Sequence, residues 1–357
     1  MAFTTINDPS KYFQTQLYTG NGSADHAITN GGNSDLQPDW VWIKNRDATD
    51  AHLGFDTNRG VTKMITMSDY VVEATDGDTL DAFQSDGFRV DADVKVNTNN
   101  EKYIAWQWLC NAGTTETAVA ESGNNPGNTR QTNADAGFSI ISYVGTGAAG
   151  TIAHGLGVAP DWFIVKATDN ATNWMSYHEY NTAAPQTDAL VFDENGATSD
   201  NAVWWNDTAP TSSVFTVGTH DRVNADGKNF IAYVFAPVQG YSKFGSYVGN
   251  GSADGPMVYT GFKPAWLLIK ETGNTNEWRL FDHKRDPTNQ VTKHFESNTT
   301  SADSDGGLGS NGNDFYSNGF KVRTDNAGNN RNNGEYVYMA FAENPFVSSK
   351  GIPTTAR

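Results

Sequence analysis

One motif recurs three times along the chain, and nothing else in the sequence restricts the fold as much. Tyr18-Thr-Gly-Asn-Gly22-Ser-Ala, Tyr143-Val-Gly-Thr-Gly147-Ala-Ala and Tyr247-Val-Gly-Asn-Gly251-Ser-Ala each open a segment with an aromatic residue and a small-residue turn. A proline-led strand ending in lysine follows each: Pro38-Asp-Trp-Val-Trp-Ile-Lys44, Pro160-Asp-Trp-Phe-Ile-Val-Lys166 and Pro264-Ala-Trp-Leu-Leu-Ile-Lys270. Eight residues beyond each lysine a third strand begins, at His52, Trp174 and Trp278. Later come Asp86-Gly-Phe-Arg-Val90, Asn318-Gly-Phe-Lys-Val322 and the looser Val214-Phe-Thr-Val217. Each segment closes on an aromatic strand: Tyr103–Trp108, Phe230–Phe235 or Tyr336–Phe341. The spacings from proline to lysine and from lysine to the next strand are identical in all three, which chance does not produce.

The segments predict an all-β chain. Their apolar runs are short, rich in Val, Ile, Tyr, Phe and Trp, and bounded by Gly, Asn, Asp and Pro. Alternation is visible in Phe138-Ser-Ile-Ile-Ser-Tyr143, and no helical period survives three turns without a glycine or proline. A segment of about 100 residues with seven or more strands has the size of a β-sandwich. The expectation is three tandem β-sandwiches of jelly-roll or lectin-like type, at residues 12–111, 137–239 and 240–346, each owning its core. A head (1–11), an extended or mobile linker (112–136, rich in Thr, Asn, Gly and Ala) and a polar tail (347–357) lie outside them. The second and third sandwiches, joined through Pro237-Val-Gln-Gly240, are expected to form the stiffer pair.

Composition narrows the function. Lys and Arg number 24 against 41 Asp and Glu, a formal net charge of −17. Such a chain is poorly suited to neutralising nucleic-acid phosphates or to docking on an anionic membrane surface. No apolar run approaches the roughly 18 residues of a membrane span, and residues 1–13 lack the pattern of a secretory signal, so none is expected. A single cysteine, Cys110, excludes an internal disulfide framework and a multi-thiolate zinc site. The 10 Trp, 14 Tyr and 19 Phe argue against disorder.

Motifs for chemistry fail one by one. Gly145-Thr-Gly147-Ala-Ala-Gly150 matches a dinucleotide fingerprint, but the following residues hold two glycines and Pro160 and cannot supply the helix that faces a pyrophosphate. Gly307-Leu-Gly-Ser-Asn-Gly312 matches too, with no strand before it. Neither GxSxG nor HExxH occurs. The seven histidines share no spacing and are expected at the surface or in turns. Asp56 and Asp282 each precede an arginine by three residues (Arg59, Arg285), the spacing of a local ion pair, and His178 takes that place in the middle copy. Asp76, Asp78 and Asp81, or Asp303 and Asp305, offer oxygen ligands for calcium without a twelve-residue loop pattern. No catalytic residue, metal set or cofactor is expected. For binding, Val203-Trp204-Trp205-Asn206 has no counterpart in the other copies; were it a strand, one indole would face outward and could stack on a sugar. Trp204, Trp205 and Asn206 are therefore the candidate glycan or interface contacts.

Taken as a set, Leu36-Gln-Pro-Asp-Trp-Val-Trp-Ile-Lys-Asn-Arg46, His154-Gly-Leu-Gly-Val-Ala-Pro160, Thr208-Ala-Pro-Thr-Ser-Ser-Val-Phe215, Gly240-Tyr-Ser-Lys-Phe-Gly-Ser-Tyr247 and Tyr338-Met-Ala-Phe-Ala-Glu343 resemble a family of virion structural proteins of marine tailed bacteriophages, cyanophages included. The resemblance implies a non-enzymatic particle component, a tail-fibre or tail-tip element or a capsid-surface decoration. It also implies assembly in the host cytoplasm and partners among the other virion proteins. A homo-oligomer, a trimer by preference, and contact with host-surface polysaccharide complete the expectation. The alternative is a carbohydrate-active depolymerase on the same scaffold, which needs two carboxylates across one cleft.

Overall fold

Every second residue of the proline-led strands is a large apolar group, and so is its neighbour, so these strands demand cover on both faces. The structure, a computed structural model describing residues 4–114, 118–305 and 312–354, supplies it. Trp40–Asn45, Trp162–Ala167 and Phe262–Glu271 are buried along their whole length. Each lies inside a large antiparallel sheet. The first runs Phe13–Thr19, Lys102–Trp108, Trp40–Asn45, Leu53–Asp56, Lys63–Thr66, Ala74–Thr75. The third has the same order: Ser242–Val248, Glu335–Pro345, Phe262–Glu271, Arg279–Asp282, Lys293–Glu296, Ser304–Asp305. The second keeps it with Phe138–Val144, Asn229–Phe235, Trp162–Ala167, Met175–His178, Asp188–Val191 and Ser199–Asp200, and adds Asn128–Asn133 outside Phe138–Val144. Small antiparallel sheets cover one face of each: His26–Thr29, Gly87–Val90 and Leu80–Gln84; Gly150–Ala153 with Val214–Val217; and Met257–Tyr259, Gly319–Val322 and Asn313–Tyr316. The fold is all-β, built of sandwiched sheets.

The recurring small-residue turn is held from inside. Asn97, Asn224 and Asn330 sit in one-turn helices, fully buried. Their Oδ1 atoms accept from the turn amides of Asn21 (2.9 Å), Thr146 (2.9 Å) and Asn250 (2.8 Å). Their Nδ2 atoms donate to the carbonyls of Ser23 (2.8 Å), Ala148 (2.6 Å) and Ser252 (2.7 Å). The motif tyrosines complete the clamp, Tyr18, Tyr143 and Tyr247 donating to the carbonyls of Val96, Val223 and Asn329. The motif lysines do similar work: Lys44, Lys166 and Lys270 are fully buried, and each Nζ donates to the carbonyl of the next residue, at 2.7, 2.9 and 2.6 Å. Each also reaches a carbonyl four residues on, closing the loop that leads to the next strand.

The other face of each large sheet carries the main correction to the sequence reading. Each sandwich has an apolar core between its two sheets. A fourth and larger core joins all three large sheets, with Trp40, Trp42, Trp106, Trp108, Trp162, Trp174, Tyr233, Phe235, Trp266, Trp278, Met339 and Phe341 among its members. At its middle Trp108, Phe235 and Phe341, which occupy matching places in the three sheets, touch one another. Their ring centroids are 6.4, 5.6 and 5.6 Å apart. No sandwich owns all its core, because tryptophans at every second position make one face of the sheet apolar and the residues between them, such as Val41 and Ile43, make the other so.

The seams between sheets repeat cyclically. Glu73 N–H donates to Thr168 O (2.8 Å), Thr198 N–H to Thr272 O (2.8 Å) and Asp303 N–H to Arg46 O (2.9 Å). Trp174 Nε1 donates to Thr66 O and Trp278 Nε1 to Val191 O, while His52, in the matching position, meets the edge of Phe295. The first sheet thus contacts the second, the second the third, and the third the first. These contacts form a closed cycle, and all three large sheets share the same core.

Two outlying segments also differ from expectation. Residues 128–133 of the expected linker form a strand, because their alternating Thr, Gln and Asn can pair with the open edge of Phe138–Val144 without needing apolar cover. The head is folded in from Thr4 onward: Ile6 joins the shared core, and Thr4 Oγ1 donates to the carbonyls of Ile6 and Gln239. We expect Phe235→Ala to lower unfolding free energy by about 3–5 kcal/mol in denaturant titration, more than a truncation within one sandwich's rim, because it opens a void shared by three sheets.

Candidate functional site

Where the first and second sheets meet, the surface opens into a cleft of about 880 Å³. Asn58, Arg59, Lys63 and Glu73 come from the first sheet's side, and Ser142, Thr168, Asp169 and Asn229 from the second. Residues 118–129 contribute Val119, Glu121, Asn128 and Thr129. Val72, Val119 and Val144 stand exposed on its rim. A smaller cleft, about 420 Å³, lies at the matching seam between second and third sheets, lined by Glu179, Tyr180, Thr182, Ser246, Val248, Thr272 and Glu335. Amides, hydroxyls and single charges dominate both.

Arg59, Lys63, Glu73 and Asp169 beside the first cleft are already engaged. Arg59 pairs with Asp56 (2.6 Å) and Glu73 (3.0 Å), and Tyr233 of the second sheet donates to Asp56 (2.7 Å). Lys63 also approaches Glu73, at 3.4 Å, and Asn229 donates to Asp169. The third sandwich repeats the pair: Arg285 binds Asp282 (2.5 Å) and Asp303 (2.8 Å), and Asp303 binds Arg46 of the first sandwich (2.8 Å). These buried networks hold seams together; leaving one partner unpaired there is strongly destabilising.

In the second sandwich His178 stands where Asp56 and Asp282 stand in the others. It is fully buried, its Nδ1 accepts the Tyr180 N–H (3.1 Å) and its Nε2 faces Tyr338 O (3.2 Å). That environment fits the neutral ring with its proton on Nε2. Burial holds its pKa down to about 4. Nearby, burial and the neighbouring Glu179 push Asp161 up to about 7, and Tyr177 donates to Glu179 (2.5 Å). Of that carboxyl pair the second cleft is lined by Glu179 and not by Asp161.

The residues singled out from sequence fall elsewhere. Trp204 and Trp205 lie in a turn, not a strand, so alternation does not apply and both are buried, 6% and 1% exposed. Trp205 packs edge-on to Phe163 and Tyr177 and donates to Asp188 O (2.8 Å); Trp204 packs on His220. Neither offers an open indole face; Asn206, with φ of 53°, is exposed beside them. Three of the five aspartates considered for calcium face cations: Asp81 pairs with Arg89, Asp76 faces Lys95, and Asp303 bridges two arginines. Among the described residues no group of three or more His, Cys, Asp or Glu is placed to hold a metal. Four histidines expected at the surface or in turns are buried: His154, His178 and His294 meet local or neighbouring backbone groups, and His52 accepts from Trp42 Nε1. At Gly145–Gly150 the turn amides that a phosphate would need are taken by Asn224, and a strand begins at Gly150. Most of the Gly307–Gly312 motif lies outside the described residues. No helix among the described residues is long and apolar enough to cross a membrane.

Sequence reasoning missed the clamp asparagines and the clefts. A signal for the former existed, since Asn97, Asn224 and Asn330 each stand six residues before the aromatic that opens the last strand (Tyr103, Phe230, Tyr336).

Three large sheets packed on one shared core thus leave polar clefts at two of their seams. Residues 8–345 match a family described as a domain of unknown function (DUF7483), and the chain belongs to that family. No curated protein and no solved structure matches it.

His178 gives the structure a testable acid dependence. Its folded pKa lies below the usual 6.5, so the unfolded chain binds more protons between the two values and stability falls as pH drops from about 6.5 to about 4. Relative to His178→Asn, the natural chain should lose about 3 kcal/mol over that window, measured by urea titration at each pH.

Proposed function

We propose that the chain is a non-enzymatic structural protein of a bacteriophage particle, a tail-fibre or tail-tip element or a capsid-surface decoration. The carrying observation is the closed set of contacts: one polypeptide joins three sheets of like strand order around one shared core, as the subunits of a trimeric appendage would be joined. The sequence resemblance to marine phage virion proteins points the same way. Buried Cys110 is compatible with assembly in a reducing host cytoplasm. Because one chain already joins three sandwiches as a trimer would, one copy per threefold position is the stoichiometry proposed here, in place of the homotrimer expected from sequence. Its partners are neighbouring virion proteins.

Contact with host-surface polysaccharide belongs to the seam clefts, not to Trp204 and Trp205. Hydroxyl and amide groups such as Ser142, Thr168, Asn58 and Asn229 suit a sugar's hydroxyls, and the rim valines suit its apolar ring face. The purified chain is expected to release no reducing sugar from host polysaccharide and to co-purify with intact particles at fixed stoichiometry. Hydrolytic turnover abolished by Asp161→Asn or Glu179→Gln would instead establish the depolymerase reading.

A further inference from the structure

The second sheet has seven strands where the first and third have six. The extra one, Asn128–Asn133, runs antiparallel along Phe138–Val144, pairing Gln131 with Ile140 and Thr129 with Ser142. Phe138–Val144 and Ser242–Val248 occupy matching places. The former pairs inward from Phe138 with Phe235 and the latter from Ser242 with Phe341, in the same register. Gly249 N–H donates inward to Gly334 O, as Gly145 N–H does to Lys228 O. Backbone alternation therefore turns the N–H and C=O groups of Phe244, Ser246 and Val248 outward. These are the counterparts of Ile140, Ser142 and Val144, but Ser242–Val248 ends its sheet, and beyond a single bridge of Ser242 to Val238 no strand among the described residues pairs with that side.

Space remains along the same edge. One cleft of about 420 Å³ is lined by Ser242, Lys243, Tyr259, Thr260 and Gly261, among others. The second-seam cleft, of the same volume, takes up the other half of the strand at Ser246 and Val248. In the second sandwich the matching ground is filled by the extra strand. Thr132 Oγ1 donates to His154 O (3.2 Å), and a Cβ on Gly155 would sit 2.8 Å from Arg130 and 2.9 Å from Thr132. Their counterparts Thr260 and Gly261 face the open cleft instead, and Ser246 and Val248 are exposed. The first sheet's edge, Phe13–Thr19, is more closed. The loop Gly31–Ser34 lies over it, Gly32 N–H donating to Gln14 Oε1 (2.9 Å) and Gln14 Nε2 to Ser34 O (2.7 Å).

We propose that the outer edge of Ser242–Val248 is a docking slot for an extended segment of a neighbouring polypeptide, which adds as a seventh, antiparallel strand. The occupant's chemistry is read from the segment that fills the matching slot. Asn-Thr-Arg-Gln-Thr-Asn is six residues long, bears hydroxyls, amides and one guanidinium, and is free of bulky apolar groups. A second copy cannot lend its own such segment, since that strand already completes its second sheet. The slot belongs to the isolated chain and does not rest on the particle reading.

A synthetic peptide of residues 127–134, with capped termini, tests it against the full chain. Hydrogen exchange should show new protection at the amides of Phe244, Ser246 and Val248, with none gained along Phe13–Thr19. N-methylation of the peptide at the Thr129 and Gln131 positions removes two ladder donors and should weaken binding by roughly tenfold or more. Ser246→Pro removes an outward donor at an edge position that tolerates proline and should weaken it about fivefold. The N-methylated peptide keeps the test decisive if that variant folds poorly. Absence of binding up to about 1 mM, equal binding of the N-methylated peptide, or concentration-dependent protection of this edge without peptide would each overturn the proposal, the last by showing that a second copy covers it.

Discussion

The contact among Trp108, Phe235 and Phe341 is the constraint from which the rest follows. A sheet with large aromatic residues on both faces cannot stop at one covering layer. The small sheets cover one face of each large sheet, and only the other large sheets are wide enough to cover the second. Three twisted sheets meeting at one axis leave the seams as the places where backbone must be joined. There the chain spends its ion pairs, its strand-end hydrogen bonds and two indole N–H groups.

That division gives the most conspicuous sequence motifs structural tasks. At the end of each proline-led strand, burial lowers Lys44, Lys166 and Lys270 to a pKa of about 8, and each is occupied with backbone carbonyls. The glycine-rich turn looks like a phosphate cradle and is instead the outer half of a clamp whose inner half is an asparagine. What stays free lies between the repeated elements, in clefts that no single copy of the motif encodes.

Strands were legible because their pattern is local: alternation, glycine turns and the proline before each tryptophan strand all act within a few residues. The ion pairs of Asp56 with Arg59 and of Asp282 with Arg285 were legible for the same reason. Closure of the cycle was not, since it depends on residues such as Phe235 and Phe341 that are distant in sequence and whose partners a periodicity cannot name. The available sign was a strand such as Trp40–Asn45, whose tryptophans share one face while Val41 and Ile43 make the other face apolar as well. Trp204 and Trp205 were misplaced because a strand was assumed where Asn201 and the residues after it make a turn, and the alternation argument fails with the strand. The strand at 128–133 was hidden by its polarity, which suits an edge and resembles a linker.

A calorimetric scan of the full chain tests the shared core most directly. With three sheets joined through one apolar centre, unfolding should be a single cooperative transition whose calorimetric and van't Hoff enthalpies agree. Three separable transitions, each with the enthalpy of about 100 residues, would mean that the sandwiches are independent beads and that the axis contact does not govern the fold.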